Sequence, residues 1–278
     1  MKKLVDIFNK NSRTALITGG AGFLGLEHAY ALSKNRYNII ITDLNLKDLK
    51  TAKKTLEKKI SNRNVIFKKM DVTKESDVVK ILNYIESEGF NVDILINNAA
   101  NNPKLDNKST LKNKDRLENL SINRWEKDLK ISLTGSLICS KIFGSAMAKK
   151  KYGVIINVAS DLSVIAPDQS IYQVKGLSEN DQPVKPISYS VSKHGIIGLT
   201  KYLASYWGGK GVRVNAISPG GVFNYQDKKF VKKLINRIPM KRMASPNDLH
   251  EVIIFLCSDN NMYMTGQNIV IDGGRSII

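Results

Sequence analysis

The strongest chemical signal near the amino end is Thr18-Gly19-Gly20-Ala21-Gly22-Phe23-Leu24-Gly25, where an apolar strand pattern runs into a glycine cluster and then a helical pattern. Glycine there serves a tight turn, close approach of backbone to a pyrophosphate, and helix–strand packing. The helix that follows would turn its free amides toward the phosphates. In this strand–turn–helix setting, Gly19, Gly22, Phe23, Leu24 and Gly25 are candidate contacts to a dinucleotide. Asp43 ends the next strand pattern, twenty-odd residues past the first glycine. A carboxylate there can accept hydrogen bonds from the adenosine ribose hydroxyls and repels a 2′-phosphate. The glycine turn holds no Arg or Lys, and Leu44 and Asn45 follow the aspartate, so these residues favour NAD over NADP.

Such a turn works only at the edge of a sheet, and the chain supplies one. Apolar strand patterns fall at Thr14–Thr18, Asn38–Thr42, Val65–Met70, Ile94–Asn97, Val154–Val158, Val212–Ile217 and Ile269–Ile271. Helical patterns lie between them near 24–34, 46–60, 75–87, 125–149, 187–207 and 247–258. Strands alternating with helices predict an α/β fold: a single-domain, doubly wound Rossmann sheet of seven parallel strands with helices on both faces, spanning 1–278. Three long connections, about 98–124, 161–186 and 218–246, follow the fourth, fifth and sixth strands. All three emerge at the carboxyl edge, where open α/β sheets bind ligands, so they are the expected substrate loops.

Composition removes other classes. The formal charge is +18, but the lysines are spread along the whole chain without a basic stripe interleaved with aromatics, so no nucleic acid is expected as partner. No apolar run approaches the roughly 20 residues that span a bilayer, and MKKLVDIFNKNSRTALITGG lacks the apolar core of a signal peptide. The expectation is a cytoplasmic protein with no membrane partner. Cys139 and Cys257 sit in apolar helical patterns and suit small core residues. His28, His194 and His250 lack metal-ligand spacing, so no metal is expected.

Taken in order along the chain, further motifs resemble the short-chain dehydrogenase/reductase family, over nearly the whole length. Asp71-Val72 is similar to the family's acidic residue near the adenine, and Asn97-Asn98-Ala99-Ala100 to its Asn-Asn-Ala-Gly stretch. Ile155-Ile156-Asn157-Val158-Ala159-Ser160 resembles the strand ending in the catalytic serine. Val212-Arg213-Val214-Asn215 through Pro219-Gly220 resembles the sixth strand and the turn beside the nicotinamide; Gly266-Gln267 and Asp272-Gly273-Gly274 resemble the carboxyl end. The resemblance implies Asp71, Val72, Asn98, Ala99, Pro219, Gly220 and Val222 as further cofactor contacts. It also implies a homo-oligomer, dimer or tetramer, with 125–149 and 187–207 at subunit interfaces.

The family's Tyr-x-x-x-Lys pattern occurs three times, as Tyr30/Lys34, Tyr189/Lys193 and Tyr206/Lys210. Only Tyr189 follows the serine-terminated strand and opens a long helix. Tyr172 is a rival by its distance from Ser160, but Gly176 stands at its lysine position, and Lys175 would point about 100° away on a helix. Tyr189 and Lys193 share a helix face. A phenol titrates near 10, and a nearby ammonium together with a positive nicotinamide should lower that value. The resemblance assigns Tyr189 as acid/base, Lys193 as its partner and a holder of the nicotinamide ribose, and Ser160 as the group orienting the substrate oxygen. Ser132 stands where the family has a catalytic asparagine, counted from Trp125 through Leu133-Thr134-Gly135, and Asn224 near a common nicotinamide-contacting threonine. The glycine spacing of Gly19, Gly22 and Gly25 is that of the family's extended branch, yet the chain ends just after Asp272-Gly273-Gly274, which fits the single-domain branch.

The implied activity is hydride transfer between NAD and a secondary alcohol or ketone. A sugar epimerase or dehydratase with transient oxidation, and a catalytically silent NAD-binding scaffold, stay open as alternatives. Lys104, Lys108, Lys112, Lys114 and Arg116 in the first long connection, with Lys228, Lys229, Lys232, Lys233 and Arg237 in the third, suggest an anionic small-molecule substrate. The enlarged 161–186 segment and Tyr202-Leu203-Ala204-Ser205-Tyr206-Trp207 more loosely resemble oxidoreductases of bacterial surface-polysaccharide and flagellin-glycan pathways.

Overall fold

The computed structural model describes residues 3–60, 64–101 and 115–278. Strands β1 (Thr14–Thr18), β2 (Asn38–Asp43), β3 (Val65–Lys69), β4 (Ile94–Asn97), β5 (Gly153–Val158), β6 (Val212–Pro219) and β7 (Asn268–Ile271) form one parallel sheet in the order β3-β2-β1-β4-β5-β6-β7. The helices are α1 (Phe23–Lys34), α2 (Leu46–Lys59), α3 (Glu75–Ser87), α4 (Ile122–Lys149), α5 (Ile187–Trp207), α6 (Lys228–Ile235) and α7 (His250–Cys257). This is the doubly wound Rossmann architecture, and the strand order reverses between β1 and β4, which opens a crevice at the carboxyl edge.

The strands are apolar on both faces because both faces are covered. Alternation assigns each side chain to one of two cores. Leu16, Ile40, Leu95, Ile155 and Val214 pack with Ile81 and Ile85 of α3, Phe143 of α4 and Leu203 of α5. Ala15, Ile17, Ile39, Ile41, Ile94 and Ile156 pack with Leu32 of α1, Leu49 and Leu56 of α2, and Ile253 and Leu256 of α7. A buried polar ladder crosses the first core: Asn97 Nδ2 donates to Ser140 Oγ (2.9 Å) and Asn157 Oδ1 (2.8 Å), and Asn157 Nδ2 donates to Thr200 Oγ1 (2.8 Å).

Three sequence expectations change. First, α4 is longer than the 125–149 pattern and contains π turns at Lys130–Thr134 and Ser140–Gly144. With 28 residues and a mean hydropathy of 1.3 in its most apolar stretch, it is long and apolar enough to cross a membrane. Here its apolar stripe, including Cys139, Ile142, Phe143 and Met147, is buried against the sheet. Second, the 218–246 segment is not all connection. Asp227 caps α6, its Oδ1 accepting from Lys229 N (2.9 Å) and Phe230 N (3.2 Å). Leu234 of that helix joins Ile171, Ile238 and Met243 in a small third core. Third, only α7 (His250–Cys257) is α-helical in the expected 247–258 helix, with a 3₁₀ turn at Pro246–Leu249 leading into it.

Candidate active site

The glycine turn is shaped by close backbone approach. Gly19 has φ of +57°, and a Cβ there would lie 2.7 Å from Ala99 Cα; a Cβ on Gly25 would lie 2.6 Å from Gly20 Cα. Thr18 Oγ1 accepts from the backbone amides of Asn98 and Ala99, each at 3.1 Å. Asn98 Nδ2 donates to the carbonyls of Thr18 (3.1 Å) and Gly19 (2.9 Å), so this side chain braces the turn. Gly22 is the N-cap of α1 and brings no side chain to cap the amides of the first turn, which begins at Phe23 and Leu24. Backbone donors at a helix start, in a cradle that any Cβ would fill, fit a pyrophosphate.

Asp43 stands beside this cradle: its Oδ2 accepts from Ala21 N (3.2 Å) and its Oδ1 from Asn45 N (3.4 Å). The carboxylate therefore closes directly onto the glycine turn. Asp71 Oδ1 accepts from Thr73 N (3.0 Å) and Thr73 Oγ1 (2.7 Å), which makes it a turn cap as well as a candidate contact. Val72 is buried against Gly135, where a Cβ would lie 2.7 Å from Val72 Cγ2. At the end of β6, Pro219 is buried, and Gly220 N donates to Ile271 O (2.9 Å). Val222 pairs with Ala244 in an isolated bridge, and Asn224 N donates to Gln226 Oε1 (2.7 Å).

Ser160 leaves the end of β5, and Tyr189 and Lys193 lie one turn apart at the start of α5. Ser160 lies close enough to the Tyr189 hydroxyl to influence its titration. Lys193 is buried, its Nζ 5.7 Å from the Tyr189 ring centroid and donating to Val158 O at 2.7 Å. The three predicted groups therefore do meet. In the chain alone, burial pushes the Tyr189 phenol up to about 12, with Ser160 acting against that and the charge of Asp161 adding to it. The pKa of the Lys193 ammonium is itself lowered to about 8, by burial first and the neighbouring Lys185 second.

Ser132 is buried within the first π turn of α4, and its carbonyl accepts from Ser136 Oγ (2.7 Å). Among the described residues, no hydrogen bond joins it to Ser160, Tyr189 or Lys193. π turns recur at functional positions because they displace a helix face by one residue. Tyr172, the rival, lies in the 3₁₀ turn Gln169–Tyr172 and stacks on Phe230, with ring centroids 5.6 Å apart. Burial raises its phenol, and Lys175 is exposed to solvent.

The basic groups expected to face substrate divide. Lys104, Lys108, Lys112 and Lys114 lie outside the described residues. Arg116 Nη1 donates to Glu179 O (2.8 Å), and Lys233 Nζ to Gln173 O (2.7 Å). Arg237 pairs with Asp168 and donates to Ser170 Oγ (2.8 Å), while Lys228, Lys229 and Lys232 are exposed. Arg116, Lys233 and Arg237 thus hold the 161–186 segment in place. The cation beside the chemistry is one the sequence pattern did not mark. Lys185 Nζ lies 3.7 Å from the Tyr189 ring centroid, and burial lowers its pKa to about 8 despite the charges of Asp161 and Asp115.

Two carboxylates were likewise missed. Asp128 is buried and accepts from Ser188 Oγ (2.7 Å) and Asn101 Nδ2 (2.6 Å), anchoring the residue before Tyr189. Asp161 accepts from Ser160 Oγ at 2.8 Å and pairs with Arg275 at 2.6 Å. Among the described residues no His, Cys, Asp or Glu cluster could hold a metal.

A doubly wound sheet with a dinucleotide cradle and a Ser–Tyr–Lys group at its carboxyl edge defines a nicotinamide-dependent dehydrogenase or reductase. Residues 21–276 match a family profile described as enoyl-(acyl carrier protein) reductase. The chain is 32% identical to a 3-oxoacyl-[acyl-carrier-protein] reductase of Buchnera aphidicola, across 94% of this chain and 96% of that protein. It is 29% identical to an NAD-dependent glycerol dehydrogenase of Listeria innocua, across 97% and 96%. Among solved structures, a protein of Agrobacterium tumefaciens described as a gluconate dehydrogenase superposes with a TM-score of 0.82 at 25% identity, across 98% and 99%. The chain belongs to the short-chain dehydrogenase/reductase family and is an oxidoreductase acting on CH–OH groups.

Proposed function

We propose that the chain, with residues 1–278 acting as one domain, moves hydride between NAD and a secondary alcohol or ketone of a small, anionic, sugar-derived substrate. The observation that carries the catalytic assignment is the placement of Ser160 just past β5 beside the start of α5, where Tyr189 and Lys193 lie one turn apart with Lys193 Nζ 5.7 Å from the Tyr189 ring centroid. The amides at Gly22, Phe23 and Leu24 would hold the pyrophosphate in the turn made by Gly19 and Gly25. Asp43 would take the adenosine ribose, with Asp71 and Val72 on the adenine side. Asn98, Ala99, Pro219, Gly220 and Val222 would line the nicotinamide side, where Lys193 would take the ribose. The nicotinamide, when bound, supplies the hydride acceptor or donor.

The chain's own residues handle the proton and the substrate oxygen. With a phenol near 12, Tyr189 is protonated at neutral pH and set to give a proton to a ketone oxygen. To take a proton from an alcohol it needs added positive charge close by, such as a cofactor ring or a Lys193 ammonium freed from Val158 O. Ser160 fixes the substrate oxygen beside it, and Ser132 on α4 takes the relay position. Asp43 supports NAD over NADP. Lys185, above the Tyr189 ring, supports an anionic substrate, and the glycerol- and gluconate-acting relatives support a polyhydroxylated one.

The exposed Leu137 on α4 with Ile187, Val191, Tyr202 and Tyr206 on α5 supports a homo-oligomer, dimer or tetramer, built on these helices. A dissolved nicotinamide requirement supports a cytoplasmic site of action. The test is NADH absorbance across a panel of polyols, sugar acids and sugar phosphates, with neutral cyclic ketones and acyl thioesters as contrast, each run with NAD and NADP. Turnover should be fastest with anionic polyols and NAD. Preference for a neutral ketone, without salt dependence of kcat/KM, would overturn the substrate class; tighter NADP would overturn the cofactor.

A further inference from the structure

The hydroxyl of Ser160 has one proton, and the structure shows where it goes. Ser160 Oγ lies 2.8 Å from Asp161 Oδ1 and accepts from Leu162 N at 3.2 Å. Asp161 Oδ1 also accepts from Leu162 N (2.9 Å), while Oδ2 accepts from Arg275 Nη1 at 2.6 Å. Both members of that ion pair are buried, with side chains 5% and 8% exposed. A carboxylate paired with a buried guanidinium uses its oxygens as acceptors. The proton between Ser160 and Asp161 is therefore the serine's.

The carboxyl-terminal turn delivers the arginine. Gly273 and Gly274 take φ of +67° and +87°, and the Asp272 carboxylate accepts from Gly274 N (2.9 Å) and Ser276 N (2.7 Å). This turn reverses the chain after β7 and brings Arg275 back under the end of β5. The partners are 114 residues apart, so no local motif announces them.

We infer that Asp161, charge-balanced by Arg275, keeps the Ser160 proton and makes Ser160 a hydrogen-bond acceptor, so that the site recognises the alcohol form of its substrate in preference to the ketone. A hydroxyl can donate to such a serine, whereas a ketone oxygen has nothing to donate and meets only lone pairs. Because Ser160 acts here as the partner of Tyr189, the inference rests on the catalytic assignment above.

Asp161→Asn tests it with almost no change of shape. Arg275 would select the amide oxygen, leaving the amide nitrogen to donate to Ser160 and freeing the serine proton. The Haldane relation fixes the ratio of forward to reverse kcat/KM when cofactor affinities are unchanged, so the signature is a split in KM. With the alcohol–ketone pair that turns over fastest in the panel, Asp161→Asn should raise the alcohol KM and lower the ketone KM, changing their ratio about tenfold. Arg275→Lys alone, which keeps a positive charge against Asp161, should retain the wild-type ratio, and joint replacement Asp161→Ala with Arg275→Met should reproduce the asparagine result without a buried orphan charge. Independently of any substrate, neutron diffraction from deuterated crystals of the full chain should place the Ser160 deuteron on the line to Asp161 Oδ1. A deuteron pointing at Tyr189, or KM values that move together or not at all, would overturn the inference. An inactive Tyr189→Phe alongside an unchanged KM ratio in Asp161→Asn would sink this inference and leave the catalytic assignment standing.

Discussion

The two sides of the crevice are built by different means. On the cofactor side, recognition lies in a few neighbouring residues and in backbone amides: glycines spaced along one turn, a helix start, and one carboxylate at the end of β2. On the substrate side, side chains from distant parts of the chain hold one another, as with Arg237 on Asp168, Lys233 on Gln173 and Arg275 on Asp161. The first design tolerates little change of residue but is local. The second depends on long-range closure and leaves residue choice freer, which suits the part of a fold that sets specificity.

Substitutions can separate the two sides. The largest expected effect lies where they meet: Tyr189→Phe should lower kcat by about a thousandfold while NAD affinity and folding persist, because only the transferable proton is lost. Tyr172→Phe should stay within a fewfold of wild type. The reverse outcome in steady-state assays would mean that the helix register assigned to the chemistry is wrong. A smaller effect is expected on the cofactor side alone. Gly25→Ala forces a Cβ to 2.6 Å from Gly20 Cα, and overpacking of this kind costs about 1–3 kcal/mol. NAD should bind about tenfold or more weakly by fluorescence titration, with substrate KM unchanged at saturating cofactor. The smallest effect belongs to the substrate side. Arg237→Ala removes a half-exposed ion pair worth at most about 1 kcal/mol, so substrate KM should rise about threefold with no change in NAD affinity. Equal shifts in both affinities for either variant would show that the two sides are not independent.

Legibility in the sequence follows the same division. The glycine turn, the serine-terminated strand and the placement of Tyr189 and Lys193 one turn apart on a long helix could be read because each is a short pattern in an element of recognisable period. The α6 helix was also present as a signal, an aspartate cap followed by apolar residues at Phe230, Val231, Leu234 and Ile235, but lysines between them hid it in a long basic connection. Other features had no local pattern at all. That Lys233 and Arg237 brace a neighbouring segment and that Arg275 reaches Asp161 follow only from the way the sheet brings the segments together. The upward shift of Tyr189 in the chain alone was hidden for a related reason. Spacing puts an ammonium on the same helix face, but it cannot show that burial outweighs that charge and that Lys193 spends a donor on Val158 O.

The buried ladder from Asn97 through Asn157 to Thr200 bears on how the protein moves. Asn157 lies three residues before Ser160 on β5, and Thr200 lies two turns beyond Lys193 on α5. An amide bonded on both sides in a dry interior has no second arrangement of comparable energy, so the strand and helix are geared together. Thermal opening at this point would expose several unsatisfied groups at once, so it should be rare and all-or-none. Amide protons along β5 and the middle of α5 would then exchange with solvent as one slow cohort. The distance between serine and tyrosine is kept by a gear train of amides lying well behind the crevice, leaving the segments around the substrate free to vary.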